Sequence, residues 1–274
     1  MATDRAITPW ARAAGVQFNA TLARATNVIP PDVSLAWWTN FLAYQLDWSA
    51  NARALKAFRL EIEDLRGAGH WCAPNLSITN LQAKLYRGPL DAEARLDVVT
   101  RELAFHAGCG FDLKQIASFL TGDARDWFAK LSWNEPPGLR CAGSFTLPAW
   151  TDSEPDWPGV VWPTLQLAGE VMATNVAFAG IYANSLQTHF TCTNRFWRLP
   201  DLVVGRPEGR LELAHTLNEV TRDFRFRFRS TLDLTAARSL LPAEAQEALD
   251  LCEFTSPPDL AGELWGCGSD LERI

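Results

Sequence analysis

The sequence contains no uninterrupted apolar run of the roughly 18–20 residues that a membrane-spanning helix needs. Its first residues, MATDRAITPWARAAGV, lack the long apolar core of a secretory signal. The chain has 3 Tyr and 2 Met, against 12 Trp and 15 Phe. The net charge of −7 excludes the broad basic surface of a general nucleic-acid binder, so we expect no nucleic-acid partner.

Motifs that carry catalysis are also missing. There is no G-x-S-x-G, no P-loop and no dinucleotide-binding fingerprint. His70, His106, His189 and His215 stand far apart, without further ligands at metal spacing. None of the six cysteines has C-x-x-C spacing, and their wide spread favours buried thiols over a disulfide framework. We therefore predict a protein that is not an enzyme and holds no cofactor and no metal.

A repeat of 121 residues is the strongest internal signal. Sliding the chain by 121 positions places Pro136-Pro137 on Pro257-Pro258, so WNEPPGL aligns with FTSPPDL. From Leu76 to Ala142 the two copies share 16 identities over 67 positions without a gap. Typical residue frequencies would give about four by chance. A repeated sequence predicts a repeated structural unit.

Alternating residues predict strands and give one face of the sheet. In the second copy, three phenylalanines alternate with Arg225, Arg227 and Arg229, and a period of two places rings and guanidiniums on opposite faces. The candidate apolar face comprises Phe224, Phe226, Phe228, Leu165, Leu167, Phe58, Leu60 and Ile62. Asn194-Arg195 and the stretch 206–209 (RPEG) supply turn signals between consecutive strands, which predicts an antiparallel meander.

Helical patterns separate the sheet segments. Residues 111–131 and 232–251 predict pairs of short helices, with Asp112 and Asp233 as N-caps. The Pro-Pro pair ends each helix because proline lacks the amide hydrogen and restricts the preceding residue. A further helix is expected over about 33–47.

These signals predict a mainly β fold with helices (α+β). It is an extended, curled antiparallel sheet, a β-groove, built from repeats of about 121 residues with short helix pairs between sheet blocks. Residues 1–54 form an N-terminal helical segment, 55–138 a first sheet block plus helix pair, and 139–258 a second such block. Residues 259–274 begin a third, truncated unit, which predicts that the chain is part of a longer polypeptide.

Two phrases of the sequence carry a family resemblance over roughly residues 55–265. They are NLQAKLYRGPLDAEARLDV with its counterpart LPDLVVGRPEGRLEL, and the helix corner FDLKQIASFL…WNEPPGLRCAGSFTLPAW. The pattern resembles the AsmA-like branch of the AsmA/TamB proteins. The resemblance implies a periplasmic β-groove with a hydrophobic lumen, anchored in the bacterial inner membrane, that moves phospholipid toward the outer membrane. This chain carries no such anchor segment, and the family offers no catalytic residues to transfer.

The first functional hypothesis is therefore a non-enzymatic periplasmic segment that binds or conducts phospholipid, or another acyl lipid, between the two membranes. Its further partners would be the inner membrane, through the missing anchor, and other envelope proteins. One alternative is a structural or interaction module of the cell envelope without lipid, and another is a glycan-binding β-protein. Trp37-Trp38 and DWPGVVWP at 156–163 fit core packing, a sugar platform or a membrane interface.

Overall fold

The computed structural model of the chain describes residues 2–7, 11–25, 37–57, 60–115, 122–152, 154, 156–233, 238, 246–247, 250–251, 254 and 256–268. Strands make up most of the described residues and pair antiparallel within each unit, which confirms the mainly β prediction. The chain divides into two compact units. Unit 1 contains residues 1–111 and 140–167, and unit 2 contains residues 112–139 and 168–274.

Fifteen strands, two short α-helices and several short 3-10 segments, one of them at residues 113–115, make up the described secondary structure. The strands are β1 (Ala2–Ile7), β2 (Ala11–Arg24), β3 (Tyr44–Ala57), β4 (Leu60–Cys72), β5 (Asn75–Leu85), β6 (Gly88–Asp97), β7 (Glu102–Cys109), β8 (Leu131–Trp133), β9 (Gly138–Thr146), β10 (Gln166–Phe178), β11 (Ile181–Thr193), β12 (Phe196–Arg206), β13 (Gly209–Asn218), β14 (Asp223–Ser230) and β15 (Leu260–Cys267). The α-helices are α1 (Gly122–Ala129) and α2 (Trp157–Val160), and the 3-10 segments include Trp37–Phe41 and Trp162–Thr164.

Strand order follows chain order within each unit. Unit 1 runs from β1 to β7 and continues with β9, and unit 2 runs from β10 to β15, with β8 pairing β10. Consecutive strands pair antiparallel because tight connections join them, as at Asn194-Arg195 between β11 and β12 and at Pro207-Glu208 between β12 and β13. Both of these turns lie where the sequence predicted them.

The N-terminal helical segment predicted for residues 1–54 is wrong for the described residues. β1, β2 and the first part of β3 occupy most of it, and its only described helix is the 3-10 helix Trp37–Phe41. Within the described part of the helix expected over about 33–47, five residues are helical. Helix-forming Ala, Leu, Arg and Lys residues are frequent in β3, but the strand is hydrogen-bonded to β2 on one side and β4 on the other. Pairing along both edges of the strand outweighs that weak local preference.

The predicted helix pairs fall largely outside the described residues. In 111–131, residues 116–121 are not described; residues 113–115 form a 3-10 turn, and α1 follows at Gly122–Ala129. Asp112 does accept the Lys114 amide hydrogen through Oδ1 at 3.1 Å, as a capping residue would. In 232–251 most positions are not described. The sheet segment expected over 139–231 is interrupted by α2 and the 3-10 helix Trp162–Thr164.

The offset of 121 residues also relates the bounds of strands in the two units. It carries β4 to β11, β5 to β12, β6 to β13 and β7 to β14, with identical first and last residues after the shift. It also relates two interruptions of strand register. One lies between Ile78 and Leu81 in the β5–β6 ladder, and the other between Leu199 and Leu202 in the β12–β13 ladder.

Corresponding turns of the two units have the same hydrogen bonds. Asp97 Oδ1 accepts the amide hydrogens of the two residues at the β6–β7 tip, at 2.9 and 3.0 Å. Asn218 Oδ1 does the same at the β13–β14 tip, at 2.9 and 3.2 Å. Each turn closes with an arginine of positive φ, Arg101 at 66° and Arg222 at 62°.

The best-packed core of unit 1 is a cluster of tryptophans at one end of its strands. Trp38 and Val98 are almost fully buried, and Trp71 packs against them. The Trp71 Nε1–H donates to the Phe41 carbonyl at 3.1 Å, and Trp150 Nε1–H donates to the Val98 carbonyl at 2.8 Å. Trp38 is therefore a core residue, as the core-packing interpretation of Trp37-Trp38 expects.

Candidate functional site

One face of unit 2 is apolar, and the β13–β14 ladder defines it. Leu217, His215 and Leu213 lie directly opposite Phe224, Phe226 and Phe228 in turn. Trp197, Leu199 and Leu202 of β12 and Leu264 of β15 lie opposite members of this set. Because directly opposite residues of an antiparallel ladder share a face, these ten residues form one surface, which we call the apolar face. Nine of them are half-buried, and Leu264 is exposed.

The other side of β14 is cationic and solvated. The side chains of Arg225, Arg227 and Arg229 are 58%, 68% and 63% exposed. Arg225 and Arg227 pair with Glu263 of the neighbouring strand, and Arg229 Nη2 lies 2.7 Å from Asp259 Oδ2. These exposed pairs contribute little to stability. The three arginine side chains of β14 therefore lie on the side of the strand away from its phenylalanine rings.

His215 is the one titratable group within the apolar face. Its ring stacks on Phe226, and its Nδ1 atom is buried with no hydrogen-bond partner among the described residues. Burial lowers the pKa of His215, because the imidazolium form would lose its hydration there. A neutral histidine leaves the face without charge near neutral pH. From the sequence alone, the position of His215 opposite an alternating strand is the one sign of this role.

Unit 1 carries a corresponding face with smaller side chains. Leu103 lies opposite Leu96 and Phe105 opposite Ala94, while Ala107 lies opposite Ala92. The offset of 121 relates Ala92, Ala94 and Ala107 to Leu213, His215 and Phe228. The ring of Phe105 packs edge-on against Phe145, with centroids 6.2 Å apart. Because Ala92 and Ala107 stand where unit 2 has Leu213 and Phe228, there is more room above this face of unit 1.

The other residues predicted for the apolar face lie at separate places. Ile62 of β4 lies opposite Leu85, on the face of unit 1 that carries the residues above, and is half-buried. Leu165 and Leu167 are half-buried at the start of β10. Leu60 opens β4 opposite Ala57. Phe58 lies outside the described residues.

The described cysteines are thiols and form no disulfide. They are Cys72, Cys109, Cys141, Cys192 and Cys267. Burial, with a smaller contribution from the neighbouring Cys141, raises the pKa of Cys109 to about 11. A thiol with so high a pKa is a poor nucleophile, because the reactive form is the thiolate. These five residues are thiols outside disulfides, as predicted, but only Cys192 is buried and the other four are half-buried.

A histidine and an aspartate pair on the polar face of unit 2, which the sequence did not indicate. His189 Nδ1 lies 2.6 Å from Asp201 Oδ2, and the His189 amide donates to Asp201 Oδ1 at 2.8 Å. The two residues come together because β11 and β12 are neighbours with an irregular register between Gln187 and Thr191. The hydrogen bond to Asp201 raises the pKa of His189. Both side chains are about half exposed, so this is a surface pair.

Comparison with known proteins gives no relative for this chain. No family model, no curated protein and no solved structure matches it. Among the helices of the described residues, none combines the length and the apolar character that a bilayer crossing requires. The geometry of the two sheet faces is therefore the basis for any functional conclusion.

Proposed function

We propose that the protein is a non-enzymatic, AsmA-like periplasmic segment whose apolar sheet faces bind the acyl chains of phospholipid. The observation that supports this most directly is the apolar face of unit 2, where aromatic and aliphatic side chains are half-buried instead of sealed in a core. Each methylene of a bound acyl chain would gain about 0.8 kcal/mol by leaving water. Lipid moves along such a groove between the inner and outer membranes.

We further propose that β4–β7 and β11–β14 are two copies of one repeated β-groove unit of about 121 residues, with helix pairs between sheet blocks. The shared strand bounds, the shared register interruption and the shared turn bonds of Asp97 and Asn218 support it. A repeat that places an apolar face at the same positions in each copy suits a ligand with a long, uniform apolar chain. A small rigid ligand would require only one copy.

Native mass spectrometry of protein purified from bacterial membranes without added lipid tests the proposal. Wild-type protein should carry phospholipid, and Phe226→Asp should lower its occupancy about tenfold or more, because a carboxylate beside an acyl chain lacks hydration. Arg227→Gln is the matched control on the opposite face of β14 and should keep the wild-type occupancy. Folded protein without lipid would favour the structural or interaction module, and equal occupancy in the two variants would refute the apolar face as the binding surface.

A further inference from the structure

A polar cleft of about 860 Å³ crosses the first four strands of unit 1. Its walls include Gly15 of β2 and Asp64 of β4, whose φ values are 61° and 50°. Ladder pairing is interrupted at Gly15, between Ala14 and Gln17. Positive φ at these two points turns the strands locally and opens the sheet surface.

Two guanidinium groups line this cleft. Arg66 lies directly opposite Asn51 of β3, which in turn lies directly opposite Gln17 of β2, so all three share a face. Arg53 lies across Gly15, where a Cβ atom would collide with its side chain. Glycine at position 15 is thus what admits the Arg53 side chain over β2.

The charges of the cleft leave Arg53 available to a ligand. Arg53 is exposed and forms no ion pair with any described residue, whereas Asp64 is paired with Lys84, Nζ to Oδ2, at 2.9 Å. Asp4 is the other carboxylate of the cleft lining. Lys84 pairs Asp64 from outside the lining, so the two arginines of the cleft face one further carboxylate, Asp4.

We propose that this cleft binds a phosphate-type anion through Arg53 and Arg66, with the amides of Asn51 and Gln17 as neutral donors. A guanidinium offers a planar fork of N–H donors that matches two oxygens of a phosphate group. The anion is either a free phosphate or the phosphate of a lipid head group. The site does not depend on the proposed lipid function, because its donors and its opening belong to unit 1 alone.

Isothermal titration calorimetry at low ionic strength tests the site with inorganic phosphate, glycerol 3-phosphate and dihexanoylphosphatidic acid as probes. Arg53→Gln should weaken phosphate binding about tenfold or more, since a charged hydrogen-bond donor is lost. Arg53→Lys should recover part of the affinity, and Arg227→Gln, an exposed arginine of unit 2, should keep the wild-type value. Thermal unfolding of each variant checks that the fold is retained, as expected for an exposed side chain.

These measurements distinguish a free phosphate from a lipid head group as the bound anion. They also test the cleft proposal separately from the acyl-chain proposal. Equal affinity for glycerol 3-phosphate and the short-chain lipid assigns a free phosphate. Tighter binding of the lipid than of glycerol 3-phosphate, with both weakened by Arg53→Gln, assigns a head group. The absence of saturable binding of every probe, or equal binding by wild type and Arg53→Gln, would overturn the cleft proposal and leave the acyl-chain proposal standing. Unchanged phospholipid occupancy of Phe226→Asp in the native mass spectra would count against the acyl-chain proposal alone.

Discussion

His215 stacks on Phe226, with ring centroids 4.1 Å apart and the two planes inclined by 14°. The two residues are directly opposite on neighbouring strands, so the stack is held by the β13–β14 ladder itself. Stacking buries the imidazole among apolar side chains and lowers its pKa. The apolar face therefore contains a group whose protonation would oppose folding.

This stack predicts a loss of stability in acid. Below pH 6.5, the ordinary histidine pKa, His215 takes up a proton in the unfolded chain but resists protonation in the folded protein. The free energy of unfolding therefore decreases as the pH is lowered below 6.5, and the effect vanishes above 6.5. His215→Phe keeps an aromatic ring and should lose less stability between about pH 7.5 and about pH 5.5, measured by urea unfolding. The raised pKa of His189 has the opposite sign but is common to both proteins. The exposed control His106→Gln should keep the wild-type difference, and an undiminished acid loss in His215→Phe would contradict the assignment.

Because the β6–β7 and β13–β14 turns have the same hydrogen bonds, equivalent substitutions in them should lower the free energy of unfolding by similar amounts. Asp97→Ala and Asn218→Ala each remove an acceptor of two backbone amide hydrogens, so each should lower the free energy of unfolding by about 1–2 kcal/mol. Equilibrium urea unfolding measures both. Thr100 and Thr221 hydroxyls also accept an amide hydrogen in the two turns, at 3.3 and 3.4 Å, and Ser at either position should preserve stability. A large cost at one turn and none at the other would argue against equivalent units.

Local signals were sufficient for the parts of the fold that depend on neighbours in sequence. The turn at Asn194-Arg195 follows from Asn194, a residue type that tolerates positive φ; Asn194 has a φ of 50° and Arg195 one of 62°. The alternating exposure along Asp223–Ser230 follows from the two-residue period of a strand. Neither feature requires knowledge of a distant partner.

The remaining features of the fold and of the sites depend on contacts between residues that are far apart in the sequence. β3 contains enough helix-forming residues to suggest a helix, and only its pairing with two neighbouring strands makes it extended. The cleft at Arg53 depends on backbone turns at Gly15 and Asp64, which lie on different strands. An isolated glycine within a strand was the only available hint of it. The same dependence on pairing brings His189 to Asp201.

The tryptophan core of unit 1 allows a hydrogen bond to be measured by comparison. Trp71→Phe removes an indole that donates to Phe41, whereas Trp38→Phe removes a buried indole N–H that has no partner among the described residues. Both changes delete a similar apolar volume. Trp71→Phe should therefore destabilise the protein by about 1 kcal/mol more than Trp38→Phe, because only it breaks a hydrogen bond. Chemical unfolding of the two variants side by side gives this difference, and a larger cost at Trp38 would mean that its N–H has a partner.

Two glycines of β4 predict opposite responses to the same substitution. Trp48 of β3 lies across both, since it is directly opposite Gly69 and packs near Gly67. A Cβ at Gly67 would contact Trp48 and Leu81 at 3.5–3.6 Å, an ordinary separation, so Gly67→Ala should be neutral or slightly stabilising through reduced chain entropy. A Cβ at Gly69 would lie 2.6 Å from Trp48 Cζ2 and would collide with the Ser77 carbonyl oxygen, which belongs to the backbone and cannot rotate away.

Gly69→Ala should consequently lower the free energy of unfolding by about 1–3 kcal/mol, the usual range for an overpacked site. Urea unfolding of the two alanine variants measures the contrast, with Gly67→Ala as the matched control on the same strand and the same face. Trp48→Leu in the Gly69→Ala background should relieve only the ring contact and leave the clash with the backbone, so it should not restore stability. Equal stabilities of Gly67→Ala and Gly69→Ala would show that the β4–β5 ladder is looser at Ser77 than this packing requires.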